Sequence, residues 1–252
     1  MGFENKRVLI TGSSRGIGYG IAEAFIESGA RVAINGRTPE SVHAAMDKLG
    51  HADQLVAAPG DIGTVAGCQL TVKTAVDAFG GLDVLVNSAG IGAGRPIDEC
   101  DEQMWDDHVD VNLKGLFFTC QAALPELRKS EGNIVNISSD AGLIGVPGIV
   151  VYCGSKGGVV MMAKAMALEE APNRVRVNSV CPGYVDTDMI RLSAQRKPDP
   201  EAAWQKMVDY APLKRIASTA EIAAAVQYLA SEDARFITGV ALPVDGGTTA
   251  GK

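Results

Sequence analysis

Cysteine, histidine and long apolar runs are scarce in this chain, and each shortage removes a class of function. The five cysteines, Cys68, Cys100, Cys120, Cys153 and Cys181, are odd in number, widely spaced and free of any Cys-x-x-Cys pair. They read as reduced thiols of a cytoplasmic protein. The three histidines, His43, His51 and His108, stand apart in surface-like helical or loop contexts, so no metal is expected. No apolar run approaches the roughly 20 residues that span a bilayer. The stretch from Met1 to Arg7 carries neither the apolar core of a signal peptide nor a myristoylation pattern, so no membrane partner is expected. With a net charge of −7 and no run of lysines or arginines to track a phosphate backbone, nucleic acid is not an expected partner either. Repeats, low-complexity segments and linkers are also missing, so residues 1–252 are expected to form a single domain, with 46% hydrophobic residues to build its core.

What the chain does have is an alternation. Val8-Leu9-Ile10, Arg31–Asn35, Leu55–Ala58, Leu82–Val86, Gly132–Ser139, Arg174–Val180 and Gly239–Val244 read as short strands. Between them lie helical patterns, among them Thr38 to about Leu49, Thr64–Phe79, Glu102 to about Arg128, residues 150–170 and Thr219–Ala230. Seven strands separated by helices predict an α/β fold, a Rossmann-type doubly wound parallel seven-stranded sheet with helices on both faces. Residues 188–215, with Pro198, Pro200 and Pro212 among mixed charges, are the least regular stretch and read as a substrate lid over the sheet's C-terminal edge.

The first strand leads directly into Thr11-Gly12-Ser13-Ser14-Arg15-Gly16-Ile17-Gly18 and then a helical pattern. Strand, glycine loop and helix together read either as a plain strand-to-helix turn or, with both flanking elements in place, as a dinucleotide site, because glycines permit close backbone approach and the helix N-terminus offers unpaired N–H groups to a pyrophosphate. An NAD site usually has an acidic residue at the end of the second strand, where this chain has Gly36-Arg37. Arg37, with Arg15 from the loop, suits the 2′-phosphate of NADP(H), which is therefore favoured over NAD(H). Asn87-Ser88-Ala89-Gly90 and Cys181-Pro182-Gly183 end two further strands, where ligands of doubly wound sheets gather.

On the helix at 150–170, Tyr152 and Lys156 share a face with a rise of about 6 Å between them. They read either as an ordinary helical pair with a solvated ammonium or as a chemically coupled one. In the coupled case the lysine cation would lower the phenol's pKa, and a drop of about 3 units corresponds to roughly 4 kcal/mol. Asn112, a mediocre helix former beside Gly115, either caps a break in its helix or has its side chain or carbonyl in use.

In their order along the chain, Thr11-Gly12-x-x-x-Gly16-x-Gly18, Asp61, Asn87-Ser88-Ala89-Gly90, Asn112, Ser139, Tyr152-x-x-x-Lys156 and Pro182-Gly183 with Thr187 resemble the short-chain dehydrogenase/reductase family in its single-domain form. The resemblance spans Arg7 to Gly247. It implies that Tyr152 is the general acid or base and that Lys156 depresses its pKa and bonds the nicotinamide ribose. Ser139, 13 residues before Tyr152, would hydrogen-bond the substrate oxygen, and Asn112 would hold a water linking Lys156 to solvent. Asp61 and Ile62 would flank the adenine, Asn87 would support the central strand, and Thr187 would bond the nicotinamide amide. The cofactor-contacting set implied in this way also includes Ser14, Ile17, Ala89, Gly90, Tyr152, Pro182, Gly183 and Val185. Two departures stand out: Ser88 replaces a usual asparagine, and Cys153, where serine is common, reads as inert packing or a reactive thiol.

Asp140 reads either as a solvated turn carboxylate or as an acceptor for a polar or cationic substrate. The helix after Lys156 is apolar almost all round, from Val159 to Leu168, and one sheet covers only one side of it. A homo-oligomer follows, a tetramer by the resemblance or else a dimer. The leading function is an NADP(H)-dependent oxidoreductase that interconverts a ketone and a secondary alcohol. Its rivals are an NAD(H)-dependent sugar or cyclic alcohol dehydrogenase and a non-catalytic dinucleotide sensor.

Overall fold

The computed structural model describes residues 2–251. Its seven strands are β1 (Arg7–Thr11), β2 (Arg31–Ile34), β3 (Leu55–Ala57), β4 (Val84–Asn87), β5 (Asn133–Ile137), β6 (Arg176–Pro182) and β7 (Ala241–Val244). They pair in parallel in the order β3-β2-β1-β4-β5-β6-β7. The sheet is apolar on both faces because helices cover both. Val8 and Ile10 pack on one side with α1 (Gly16–Glu27) and α9 (Thr219–Ala230). Leu9 packs on the other with α3 (Val65–Phe79), α5 (Leu116–Ser130) and α6 (Val150–Glu170). The chain reverses its direction of winding between β1 and β4, which opens a crevice at their C-terminal ends.

Local chemistry explains the element boundaries. Thr38 caps α2 (Pro39–Leu49) by accepting from the Ser41 amide, and Pro39 occupies the first helical position. Thr64 caps α3 in the same way, accepting from Gly67. Ser218 and Glu221 form a reciprocal capping box at α9. No helix among the described residues is long and apolar enough to cross a membrane.

Two stretches differ from the sequence-based expectation. Residues 188–215 are not irregular: they hold α7 (Asp188–Gln195) and α8 (Pro200–Tyr210). Pro200 acts as a helix starter, since it sits in the first turn of α8 and Asp199 caps that helix through the Ala202 amide, while Pro198 and Pro212 lie in the turns that flank α8. The expected single helix from Glu102 is also three pieces. After α4 (Glu102–Val109), Asp110–Gly115 winds as a π-helical turn before α5 begins. Gly115 is pressed against the loop after β3, where an added Cβ would lie 2.1 Å from the Ile62 carbonyl oxygen. A π turn within an α-helix commonly marks a place where a side chain is re-aimed for use, and Asn112 lies inside this one.

Candidate active site

The glycine loop is fixed from below by polar side chains. The Gly12 amide donates to Asn35 Oδ1 at 3.0 Å, and Asn35 Nδ2 donates to the Ala58 carbonyl at 3.0 Å. Thr11 Oγ1 accepts from the Ser88 and Ala89 amides, both at 3.1 Å, which ties the ends of β1 and β4 together. Gly12 has φ +64° and lies so close to Ala89 that a Cβ would sit 2.7 Å from its Cα. The backbone thus forms a cradle that larger residues would fill.

The start of α1 is left open for a ligand. Arg15, its N-cap, makes no side-chain cap bond, and the first turn has no acidic residue. Gly16 has φ +59°, and a Cβ there would meet only Thr187, at 3.7 Å. Uncapped amides beside an open glycine suit a pyrophosphate. Ser14 lies against Gly36, and Arg15 and Arg37 are both exposed at this end. The open amides and the glycine cradle therefore fit the pyrophosphate of a dinucleotide.

The side chains singled out for chemistry meet at the ends of β4, β5 and α6. Asn112 Oδ1 accepts from the Ile91 amide at 2.8 Å, while its Nδ2 donates to the Ile91 carbonyl at 3.0 Å and to Ser155 Oγ at 3.1 Å. Ser155 in turn donates to the Tyr152 carbonyl at 2.9 Å. Asn112 thereby answers the question its position raised: its side chain locks the loop after β4 to the first turns of α6. Lys156 is 5% exposed, and its ammonium donates to the Ile137 carbonyl at 2.9 Å, 5.8 Å from the Tyr152 ring centre. A Cβ on Gly90 would lie between Asn112 Oδ1 and Lys156 Nζ, at 3.3 and 3.4 Å. Tyr152 is half-buried, with Ser139 close enough to favour its ionised form.

Burial dominates the electrostatics, against expectation. It pushes the Tyr152 phenol up to about 12, Ser139 opposing the shift and the Asp140 charge adding to it. Burial also brings Lys156 down to about 8. The expected lowering of the phenol by Lys156 is not what the structure shows, because the ammonium is turned toward Ile137 and desolvation raises the phenol.

A stability test follows from the lysine. Its displacement from 10.5 to about 8 makes a charged Lys156 unfavourable in the folded state by about 3 kcal/mol at pH 7. Between those two values the unfolded chain binds a proton that the folded chain does not, so this contribution to stability rises with pH across that window. Urea titration should show Lys156→Met more stable than wild type at pH 7, with the gap closing toward pH 10. A variant less stable than wild type at pH 7 would contradict this balance.

Several residues stand elsewhere than the sequence suggested. Asp140 is not a solvated turn carboxylate: it is 7% exposed, folded under Ser139. His108 is not surface-like: it is 1% exposed, its Nδ1 bonds the Met104 carbonyl at 2.8 Å and its Nε2 accepts from the Ala93 amide at 3.2 Å, beside the Tyr152 ring. One turn of α4 rotated it inward, which a polar-looking stretch conceals. Ile62 and Val185 are buried, and the Ile62 carbonyl accepts from the Cys68 thiol beside Gly115. Asn87 is buried and donates to Asn136 on the neighbouring strand at 2.9 Å. Asp61 is exposed, Pro182 ends β6, and Gly183 packs against Asp245. Cys153 is half-buried, with its thiol toward the Val146 carbonyl. Ser155 and Asn35 were missed altogether. The only sequence signal for either was a polar residue inside an apolar element.

A family profile described as enoyl-(acyl carrier protein) reductase matches residues 12–249. An uncharacterised oxidoreductase of Thermotoga maritima is 38% identical over 99% of this chain and 100% of its own length. The 3-oxoacyl-(acyl-carrier-protein) reductase FabG of Staphylococcus aureus is 37% identical over 96% of this chain and 97% of its own. Among solved structures, a candidate short-chain alcohol dehydrogenase from Sinorhizobium meliloti 1021 superimposes with a TM-score of 0.91 at 36% identity, covering 100% of this chain and 99% of that one. ElxO with NADP bound superimposes with a TM-score of 0.91 at 30% identity, covering 98% and 100%.

Proposed function

Because this chain belongs to the short-chain dehydrogenase/reductase family of oxidoreductases, we propose that it interconverts a ketone and a secondary alcohol with NADP(H). The observation that carries this reading is the convergence of Ser139, Tyr152 and Lys156 on one crevice, with Asn112 and Ser155 holding α6 in register. When bound, the nicotinamide supplies or accepts the hydride. In the reducing direction the carbonyl π pair moves onto oxygen as hydride reaches carbon, and that oxygen takes the proton of the Tyr152 phenol. A phenol held at about 12 is a resident proton donor across the neutral range. Lys156 holds positive charge near the developing oxyanion. Arg15 and Arg37 support NADP over NAD, as does the NADP-bound relative. α7 and α8 form the substrate lid of this single domain, and Met189 approaches the same point above Gly92 as the Tyr152 ring.

Consumption of NADPH over a panel of simple ketones tests the reaction, and titration with NADPH and NADH tests the cofactor. Turnover with no ketone, or equal affinity for both dinucleotides, would overturn the corresponding half of the proposal.

The enzyme works as a homo-oligomer built on α5 and α6. Met161 and Leu168 are 64% and 79% exposed on the outer face of α6, and Phe117 on α5 is 40% exposed, which is apolar surface suited to a second subunit. Met161→Lys with Leu168→Lys should shift sedimentation toward the monomer without unfolding the chain. A wild type that already sediments as a monomer at micromolar concentration would remove the idea.

A further inference from the structure

Asp140 is a buried charge for which the proposed mechanism has no use. Its Oδ1 accepts from the Ser139 hydroxyl at 2.8 Å and from the Ala141 amide at 2.7 Å. Its Oδ2 accepts from no donor among the described residues and is not sealed away from solvent. The neighbourhood is phenolic and acidic. Burial raises Tyr152 on α6, Tyr184 after β6 and Tyr210 at the end of α8, with the charge of Asp140 adding to each, and burial raises Asp140 itself, with the charge of Asp245 after β7 adding to it. No cation among the described residues forms an ion pair with either carboxylate. Asp245 is already filled by the Gly247 and Thr249 amides and the Thr249 hydroxyl. Asp140 is the carboxylate with a free acceptor.

Left as it stands, this arrangement works against ketone reduction. A carboxylate beside a carbonyl oxygen that is gaining negative charge opposes the reaction. Ser139 also has a single hydroxyl proton, and it is directed at Asp140 rather than at the substrate. Both obstacles fall if the substrate brings its own donor to Asp140, which then loosens its hold on the serine proton. The spacing allows this. A substrate oxygen one hydrogen bond from Ser139 Oγ, about 2.8 Å, places a donor on the adjacent carbon beside the Asp140 carboxylate, whose Oδ1 is 2.8 Å from the same Oγ and whose Oδ2 is the acceptor left free.

We propose that Asp140 is a specificity-determining residue that accepts a hydrogen bond from a hydroxyl or ammonium group on the carbon next to the reacting one. The substrates are then α-hydroxy- or α-aminoketones and the matching vicinal diols or amino alcohols. This rests on the oxidoreductase reading above only in taking Ser139 as the partner of the substrate oxygen.

The test is equilibrium binding, which needs no turnover. The NADPH complex is titrated with 2-butanol, 2,3-butanediol and 3-amino-2-butanol, none of which NADPH can reduce, and binding is followed by saturation-transfer NMR. In the wild type the diol, the amino alcohol or both should bind about 10- to 100-fold more tightly than 2-butanol, the range for a hydrogen bond to a charged group. Asp140→Ala and the more conservative Asp140→Asn should bring that ratio to within about threefold. Preference for the diol alone identifies the hydroxyl source, and preference for the amino alcohol alone the cationic one. No preference in the wild type, or a preference that survives both variants, overturns the proposal. A merely structural role would weaken all three ligands alike and leave the ratio intact, which also overturns it. Turnover of 2-butanone and 3-hydroxy-2-butanone is measured in parallel. Failure of both ketones counts against the oxidoreductase reading, while the binding ratio still decides the role of Asp140.

Discussion

Tyr152→Phe is expected to lower kcat for ketone reduction by about a thousandfold, within the range for loss of a positioned proton donor. The substitution removes one oxygen and keeps the ring against His108, so the fold and the affinity for NADPH should be little changed. The phenol is held at about 12, so it stays protonated to well above pH 9 and contributes no limb to a pH–rate profile in the usual range. Lys156, held at about 8, does contribute one: kcat/KM for reduction should fall as pH rises past about 8 and the ammonium is lost. Steady-state kinetics on any accepted ketone check both points. If Tyr152→Phe kept activity within tenfold of wild type, the phenol would not be the proton donor.

The double variant Arg15→Ala/Arg37→Ala should raise the Kd for NADPH by at least about a hundredfold and that for NADH by less than about threefold. Two charge-assisted hydrogen bonds to a phosphate together supply about 3 to 6 kcal/mol, which is about 10²- to 10⁴-fold in affinity. Exposure of both arginines and screening by salt favour the lower end. Raising the ionic strength should therefore weaken NADPH more than NADH in the wild type and affect both alike in the double variant. Fluorescence titration with each reduced cofactor measures this. Equal weakening of the two would mean that the arginines touch something other than the 2′-phosphate.

Particular elements show why some features were legible in the sequence and others were not. The helix over 150–170 and α9 at Thr219–Ala230 were read to the residue, because helical patterns between strand-like runs are local signals. The π turn at Asp110–Gly115 was not readable, since it depends on Gly115 being pressed by a loop more than fifty residues earlier in the chain. The prolines of 188–215 were read as breakers where Asp199-Pro200 is a helix start, a meaning that depends on the residues that follow. His108 was taken for a surface group, and Asp140 was left between a solvated carboxylate and a substrate acceptor, because burial of a polar side chain is decided by elements far away in sequence.

By itself the sequence determined the order of strands and helices, the parallel doubly wound sheet, the glycine cradle and the identity of the residues that meet in the crevice. The strands, helices, sheet and glycine cradle follow from spacing along the chain, through periods of 2 and 3.6, turn residues and motifs at strand ends, while the residues of the crevice follow from the family resemblance that those motifs carry. Only the tertiary structure decided how acidic those residues are. Tyr152 is pushed up, Lys156 brought down and Asp140 raised by desolvation, and desolvation arises where α6, the loop after β5 and the ends of β6 and β7 close over one another. A pKa is a property of that enclosure, and no stretch of sequence carries it alone.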